Sequence, residues 1–96
     1  MSPKNKKELI LIRKKLDSLD NKLIELIKKR TKLVDKVVQL KTFKKEIVDK
    51  RRISNILKSV KQKSIRKNID PKITHRIWKN MIWSYINYER KIFKKK

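Results

Sequence analysis

The sequence predicts an all-α fold of three helices, with one very long N-terminal helix. Apolar residues recur at spacings of three and four from Lys6 to about Lys41, which is the period of an amphipathic helix. A helix of about 36 residues would be roughly 54 Å long, whereas a compact domain of this size has a radius of gyration of about 13 Å. We therefore expect its apolar side to pack on a second copy of the chain. The absence of glycine disfavours tight β-hairpins and phosphate-binding loops.

Two further helices are predicted after the long one, within a single domain that covers residues 1–96. Asp70-Pro71 is a strong helix start, because aspartate caps free N–H groups and proline suits the first helical position. The expected segments are a frayed end at 1–5, helix 1 at 6–41, a short loop at 42–46, helix 2 at 48–65, a basic linker at 66–69, helix 3 from Asp70-Pro71 to about Phe93, and a charged tail at 94–96.

Helices 2 and 3 each carry apolar residues along one side, which we expect to be buried. On helix 2 these are Ile53, Ile56, Leu57 and Val60. On helix 3 they are Ile73, Ile77, Trp78, Met81, Ile82, Tyr85, Ile86 and Ile92. Trp83 and Tyr88 are also expected in the core or an interface, and His75 is expected to be exposed.

The net charge is +22, from 31 basic and 9 acidic residues. Two explanations stay open: an anionic partner, or a compositional bias toward lysine, isoleucine and asparagine. Since the chain has no cysteine and one histidine, we expect neither a metal site nor a cysteine nucleophile. No apolar run has the length of a membrane span and the start lacks a signal-peptide pattern, so we expect a cytoplasmic protein.

Charged residues interrupt the predicted buried sides, although desolvating a charge is costly. They are Arg13, Arg30 and Lys41 on helix 1, Asp49 and Arg52 on helix 2, and Glu89 on helix 3. Taken singly, each has a structural explanation. A cation at a helix edge reaches water, and Asp49 complements the dipole of helix 2. Glu89 pairs with a neighbour such as Lys41 or Arg90.

Taken together, the same residues suggest a binding site for a small dianion. Two arginines can bind two carboxylates in bidentate fashion. A lysine and a protonated glutamic acid can both donate to one ether or enol oxygen. The sequence contains no motif for a nucleophile, a metal or a cofactor. The set therefore suits a reaction that needs only positioning and charge stabilisation.

The order and spacing of these residues resemble the all-helical chorismate mutases, a family that includes isochorismate pyruvate-lyases. The resemblance covers about residues 9–93. Its landmarks are Ile12-Arg13-Lys14-Lys15-Leu16-Asp17, Arg30 at 17 residues after Arg13, Lys41 at 11 residues after that, Asp49-Lys50-Arg51-Arg52, Ile77-Trp78 and Glu89. The resemblance implies an intertwined homodimer that converts chorismate to prephenate in aromatic amino-acid biosynthesis, without a cofactor.

The resemblance also implies a role for each matching residue. Arg13 would reach into the site of the partner chain, and Arg30 would bind a substrate carboxylate. Lys41 would bind a carboxylate and the ether oxygen, which Glu89 would also face. Asp49 would bind the substrate hydroxyl, and Arg52 would bind the ring carboxylate. Two positions depart from the family pattern. Ile53 stands where many members have glutamate, and Tyr85, also expected at the substrate, stands where many have serine. Both departures look like the lyase branch, whereas Asp49 favours the mutase.

Two interpretations from other classes stay open beside the enzyme. A basic helical nucleic-acid-binding module would account for the charge, but the sequence has no recognised groove-reading motif, so nucleic acid is not the expected partner. A dimeric helical scaffold without a pocket would leave Arg30 and Glu89 in solvent or paired with neighbours. Rearrangement of chorismate is the favoured function, and release of pyruvate from isochorismate is the alternative.

Overall fold

The computed structural model describes residues 1–94 and is built of α-helices. α1 spans Pro3–Leu40, α2 spans Lys50–Arg66 and α3 spans Pro71–Ile92, with a short 3-10 helix at Lys44–Ile47. The predicted all-α fold with one long N-terminal helix is therefore confirmed. By its internal contacts the chain divides into two units, residues 1–33 and the part that begins at Val34. None of the helices in residues 1–94 is long and apolar enough to cross a membrane.

The start of α1 corrects the prediction of a frayed end at residues 1–5. The hydroxyl of Ser2 accepts a hydrogen bond from the backbone N–H of Asn5 at 3.2 Å, and Pro3 occupies the first helical position. Serine as the cap with proline after it is a favourable helix start, so the signal was present in the sequence. At the other end of the chain, the predicted charged tail lies outside the described residues except for Lys94.

The connection between α1 and α2 also differs from the predicted loop at 42–46. Its second half is the 3-10 helix, in which the Glu46 carboxylate accepts a hydrogen bond from the backbone N–H of Phe43 at 3.0 Å. A carboxylate that reaches back to the N–H preceding the turn is one half of a capping box. The turn buries Ile47, which is 3% exposed, so the connection contributes to the core.

Aspartates cap both α2 and α3. Asp70 is the predicted cap, whereas Asp49, expected inside the first turn of a helix from residue 48, is itself the cap of α2. Asp49 Oδ1 accepts from the backbone N–H of Arg52 at 2.9 Å, and Asp70 Oδ1 accepts from that of Lys72 at 3.0 Å. Between the two helices, Asn68 adopts a φ of 57°. This left-handed conformation favours glycine, and asparagine tolerates it better than most other residues. In a chain without glycine, Asn68 therefore supplies the turn that ends α2.

The core of the second unit is small and centres on Ile47, Ile82 and Ile86, which are 3–6% exposed. Partly buried apolar residues pack around it, namely Val48, Ile53, Ile56, Leu57 and Phe93. The predicted buried sides of α2 and α3 are thus largely confirmed. Two members are wrong, since Ile73 and Ile77 are 55% and 53% exposed on a part of α3 that the chain leaves uncovered.

The first unit consists almost entirely of α1, and its apolar residues are exposed. Leu16, Leu19, Leu23 and Leu26 have 52–59% of their surface in contact with solvent. The stripe that the sequence predicted to be buried is therefore not buried within a single chain. A helix side lined by leucines is normally covered by another element.

Candidate active site

Lys41 and Glu89 form a shielded ion pair in the second unit. Lys41 Nζ lies 3.2 Å from Glu89 Oε1, and the two side chains are only 18% and 10% exposed. Lys41 directly follows α1, where its backbone N–H donates to the carbonyl of Val38 at 3.1 Å, and Val38 is buried. The buried Val38 therefore anchors the backbone that carries the ammonium group. Two residues that the sequence proposed for the site are thereby brought together, and the predicted pairing of Glu89 with Lys41 is confirmed.

A second polar contact joins the same two helices. The hydroxyl of Tyr88 donates to Asp35 Oδ1 at 2.6 Å. This hydrogen bond, followed by burial and by the negative charge of Asp35, raises the pKa of Tyr88 above its ordinary value of 10.0. Consecutive residues of α3, Tyr88 and Glu89, thus bond to two residues near the end of α1. The two contacts hold the end of α1, from Val34 onward, against α3 beside the ion pair.

Tyr85 lies one helical turn before Glu89 and packs against Tyr88. The two rings meet edge to face, with centroids 6.4 Å apart and an interplanar angle of 83°, a favourable geometry for aromatic pairs. Tyr85 is half-buried, as the sequence predicted for a core or interface position. The Tyr85 ring therefore makes an aromatic contact one helical turn before Glu89.

Asp35 is a residue of this region that the sequence analysis missed. It lies between Val34 and Val38, on the side of α1 that faces the core of the second unit, and is itself half-buried. The sequence did contain a signal for Asp35. The chain has only 9 acidic residues, and this one lies next to apolar positions. The tyrosine that it bonds was predicted only as a core or interface residue.

Asp49 and Arg52 lie in the first turn of α2. The Asp49 carboxylate caps the helix, so the structural explanation given for it is confirmed. Both side chains are exposed, and the contact between the two residues runs through the backbone N–H of Arg52 rather than its guanidinium. The hydrogen bond between Asp49 and Arg52 is therefore part of the helix cap.

Arg13 and Arg30 lie on α1 in the first unit. Arg13 is exposed and Arg30 is half-buried. Its apolar neighbours Leu26, Ile27 and Leu33 are 59%, 48% and 61% exposed, so the apolar stripe itself is not what covers Arg30.

The chemistry available to the ion pair follows from its donors and its low exposure. The Lys41 ammonium has three N–H donors and Glu89 takes one, which leaves two for a ligand. A carboxyl group accepts hydrogen bonds when ionised and can donate one when protonated. Donors held in a site with little water stabilise charge that develops on a nearby oxygen more effectively than donors in bulk water do.

The second unit thus presents a shielded ammonium group beside a carboxyl group on an all-α fold. Residues 12–90 match the family described as chorismate mutase type II. No curated protein and no solved structure matches the chain. Since the match covers most of the 96 residues, the chain belongs to this family. Its activity is the rearrangement of chorismate to prephenate, an intramolecular transfer in aromatic amino-acid biosynthesis.

Proposed function

We propose that the rearrangement takes place beside Lys41 and Glu89. The reaction breaks an ether C–O bond and forms a C–C bond within one molecule, so the protein needs to hold the reactive conformer and stabilise charge. Lys41 donates to the ether oxygen as negative charge grows there. Glu89, which is ionised in the pair with Lys41, takes up a proton when the substrate binds and then donates to the same atom. The observation that carries this assignment is the 3.2 Å contact between two side chains that are 18% and 10% exposed.

The remaining substrate contacts rest on the family pattern. We assign one substrate carboxylate to Arg30, the ring carboxylate to Arg52 and the substrate hydroxyl to Asp49. Two observations support these roles. Asp49 and Arg52 are exposed in the first turn of α2, where a ligand can reach them. Tyr85 precedes Glu89 by four residues, which puts both on the same side of α3, so we also assign Tyr85 to the substrate.

The proposed active form is an intertwined homodimer in which a second copy covers the leucine side of α1. The support is the 52–59% exposure of Leu16, Leu19, Leu23 and Leu26, since burying the exposed part of one leucine contributes about 1–2 kcal/mol. In this dimer Arg13 of each chain serves the active site of its partner. The domain then comprises residues 1–96, with two sites per dimer.

Mixed dimers test the assignment of Arg13 and Glu89 together. Arg13→Ala and Glu89→Ala are expected to be inactive as separate homodimers. If Arg13 acts across the dimer, a heterodimer of the two variants contains one site with both residues intact. Random assortment makes half of the dimers mixed, so refolding the variants together restores about one quarter of the wild-type activity.

The outcome that refutes this arrangement is no restored activity in a sample whose heterodimer content is verified by native mass spectrometry. In that case Arg13 acts within its own chain. Mixing Glu89→Ala with Lys41→Ala is the matched control, because both residues lie on the same side of the proposed arrangement and no intact site can form.

The substrate is tested by following chorismate and isochorismate separately with the purified chain. Ile53 and Tyr85 stand where many mutases have glutamate and serine, which is the observation that makes isochorismate a necessary comparison. We expect conversion of chorismate to prephenate at the higher kcat/KM. A higher kcat/KM for release of pyruvate from isochorismate would assign the chain to the lyase branch.

A further inference from the structure

α2 and α3 form a groove that the proposed reaction does not use. It has a volume of about 750 Å³ and lies within the second unit. Its floor is apolar and includes Val48, Ile53, Leu57 and Pro71, with Trp83 at one edge. Trp83 is 42% exposed, which is unusual for so large an apolar side chain. None of the residues assigned above to the substrate lines this groove, and Ile53 is the one position compared with the family pattern that does.

The rim of the groove carries positive charge on both helices. Lys50, Lys58 and Lys61 line it from α2, and Lys72 and Arg76 line it from α3. All five are exposed, and no aspartate or glutamate lines the groove. Lys50 and Lys61 are 11 residues apart, so the charged rim is about 16 Å long, or three turns of a helix. An apolar floor between two cationic rims complements an occupant that has an apolar side between two acidic flanks.

A second copy of the chain does not fit this description. Residues 3–33, which form the exposed part of α1, contain 11 basic and 4 acidic residues. Placing that helix in the groove would bring like charges together, which opposes binding. A nucleic acid would satisfy the cations, but its phosphates gain nothing from an apolar floor, and one tryptophan offers little area for base stacking.

We propose that the groove binds an amphipathic helix of another protein, with leucine-type residues on one side and aspartate or glutamate along both edges. This is helix-in-groove recognition, in which apolar anchors supply affinity and charges set orientation. The leucine side of the partner lies on Leu57 and Trp83. Its acidic edges face the lysines of α2 and the two basic residues of α3.

The test uses the full chain and a synthetic 14-residue helical peptide with leucines at spacings of three and four and glutamates beside them. Binding is measured by calorimetry and by tryptophan fluorescence, which we expect to shift to shorter wavelength as the peptide covers Trp83. Trp83→Phe should abolish that shift while calorimetry still detects the peptide. Replacing the leucines of the peptide with serine should weaken binding at least about tenfold.

Charge-reversed variants separate the groove from the general positive charge of the protein. We expect Lys58→Glu with Lys61→Glu to weaken binding of the peptide at least about tenfold. The control is Arg66→Glu with Lys91→Glu, which makes the same change of net charge at exposed positions outside the groove and should alter affinity less than about twofold. Chorismate turnover verifies that both double variants are folded.

Three results would overturn the proposal. One is no calorimetric binding of the leucine–glutamate peptide. Another is equal loss of affinity in the two double variants, or equal affinity for the serine peptide, since either would mean that only diffuse charge is involved. The last is a single-stranded oligonucleotide that binds with the same dependence on Lys58 and Lys61 while the acidic peptide does not, which would make the groove a nucleic-acid site.

Discussion

Replacing Glu89 with glutamine tests whether this side chain acts as a proton donor to the substrate or only as a charged partner of Lys41. Glutamine keeps the shape of the side chain, offers Lys41 a carbonyl oxygen at the position of Oε1, and carries an N–H donor at every pH. In the wild-type enzyme the carboxyl group donates to the ether oxygen only when it is protonated. We therefore expect kcat/KM of the wild type to fall as pH rises, up to about tenfold per pH unit once the ionised form dominates. The Glu89→Gln variant should show a flat profile over the same range.

The magnitude follows from the position of the pair. Removing a donor aimed at a developing negative charge costs about 3–4 kcal/mol, or about 10²–10³ in kcat. Lys41→Met removes the ammonium, so we expect a loss of that size at every pH. Breaking a fully buried ion pair destabilises a protein by about 3–5 kcal/mol. Since the side chains of Lys41 and Glu89 are 18% and 10% exposed, the loss of stability in Lys41→Met should lie below that range.

The measurements are initial rates of chorismate consumption from about pH 5 to pH 9, together with urea unfolding of each variant. Unfolding separates a loss of folded protein from a loss of transition-state stabilisation. Two results would contradict the reasoning. A Glu89→Gln profile with the same slope as the wild type would remove the carboxyl proton from the mechanism. A kcat of Lys41→Met within about threefold of wild type would remove the ammonium.

Three further predictions concern residues around the site and the turn. Tyr88→Phe removes the hydrogen bond to Asp35, so its urea midpoint at neutral pH should be lower than that of the wild type. Because that bond raises the pKa of Tyr88, its contribution is complete below about pH 10 and is lost as pH rises through the higher pKa of the folded state. The midpoints of the two proteins should therefore converge in strong alkali, and a constant difference would contradict this. Asp49→Ala should cost about 1 kcal/mol of stability and raise KM for chorismate, whereas Asp49→Asn should retain most of the cap and still raise KM; an unchanged KM in both would limit Asp49 to capping. Asn68→Gly should stabilise the protein by up to about 1 kcal/mol, and Asn68→Val should destabilise it by about 1–2 kcal/mol, because φ is positive there; equal midpoints would show that the turn can rearrange.

Much of the fold could be predicted from the sequence because the helical period and the aspartate caps are local signals. Asp70 caps the helix that it was predicted to start, and Asp49, predicted in the first turn of helix 2, caps that helix. The 3-10 helix at Lys44–Ile47 was missed because a four-residue element is too short to show a period. The early start of α1 was missed although Ser2 and Pro3 carry a recognisable signal, since residues 1–5 were interpreted as a solvated chain end.

The site was predictable where a charge falls on a buried side. Glu89 lies on the apolar line of α3, and the structure pairs it with Lys41 as expected. The contact between Asp35 and Tyr88 joins residues 53 apart in the chain, and no local pattern specifies such a partner. Ile73 and Ile77 were predicted to be buried and are exposed. Periodicity identifies the apolar side of a helix, but it does not say whether the same chain covers that side.

The bare leucine side of α1 has a consequence for how the proposed dimer arises in the cell. α1 leaves the ribosome before the helices that follow it, and nothing in its own unit shields Leu16, Leu19, Leu23 or Leu26. Such a surface attracts chaperones and other nascent chains until a second subunit arrives. Expression level would then govern the fraction of chains that mature, because two subunits must meet. Neighbouring ribosomes on one message, which raise the local concentration of new chains, would favour correct assembly.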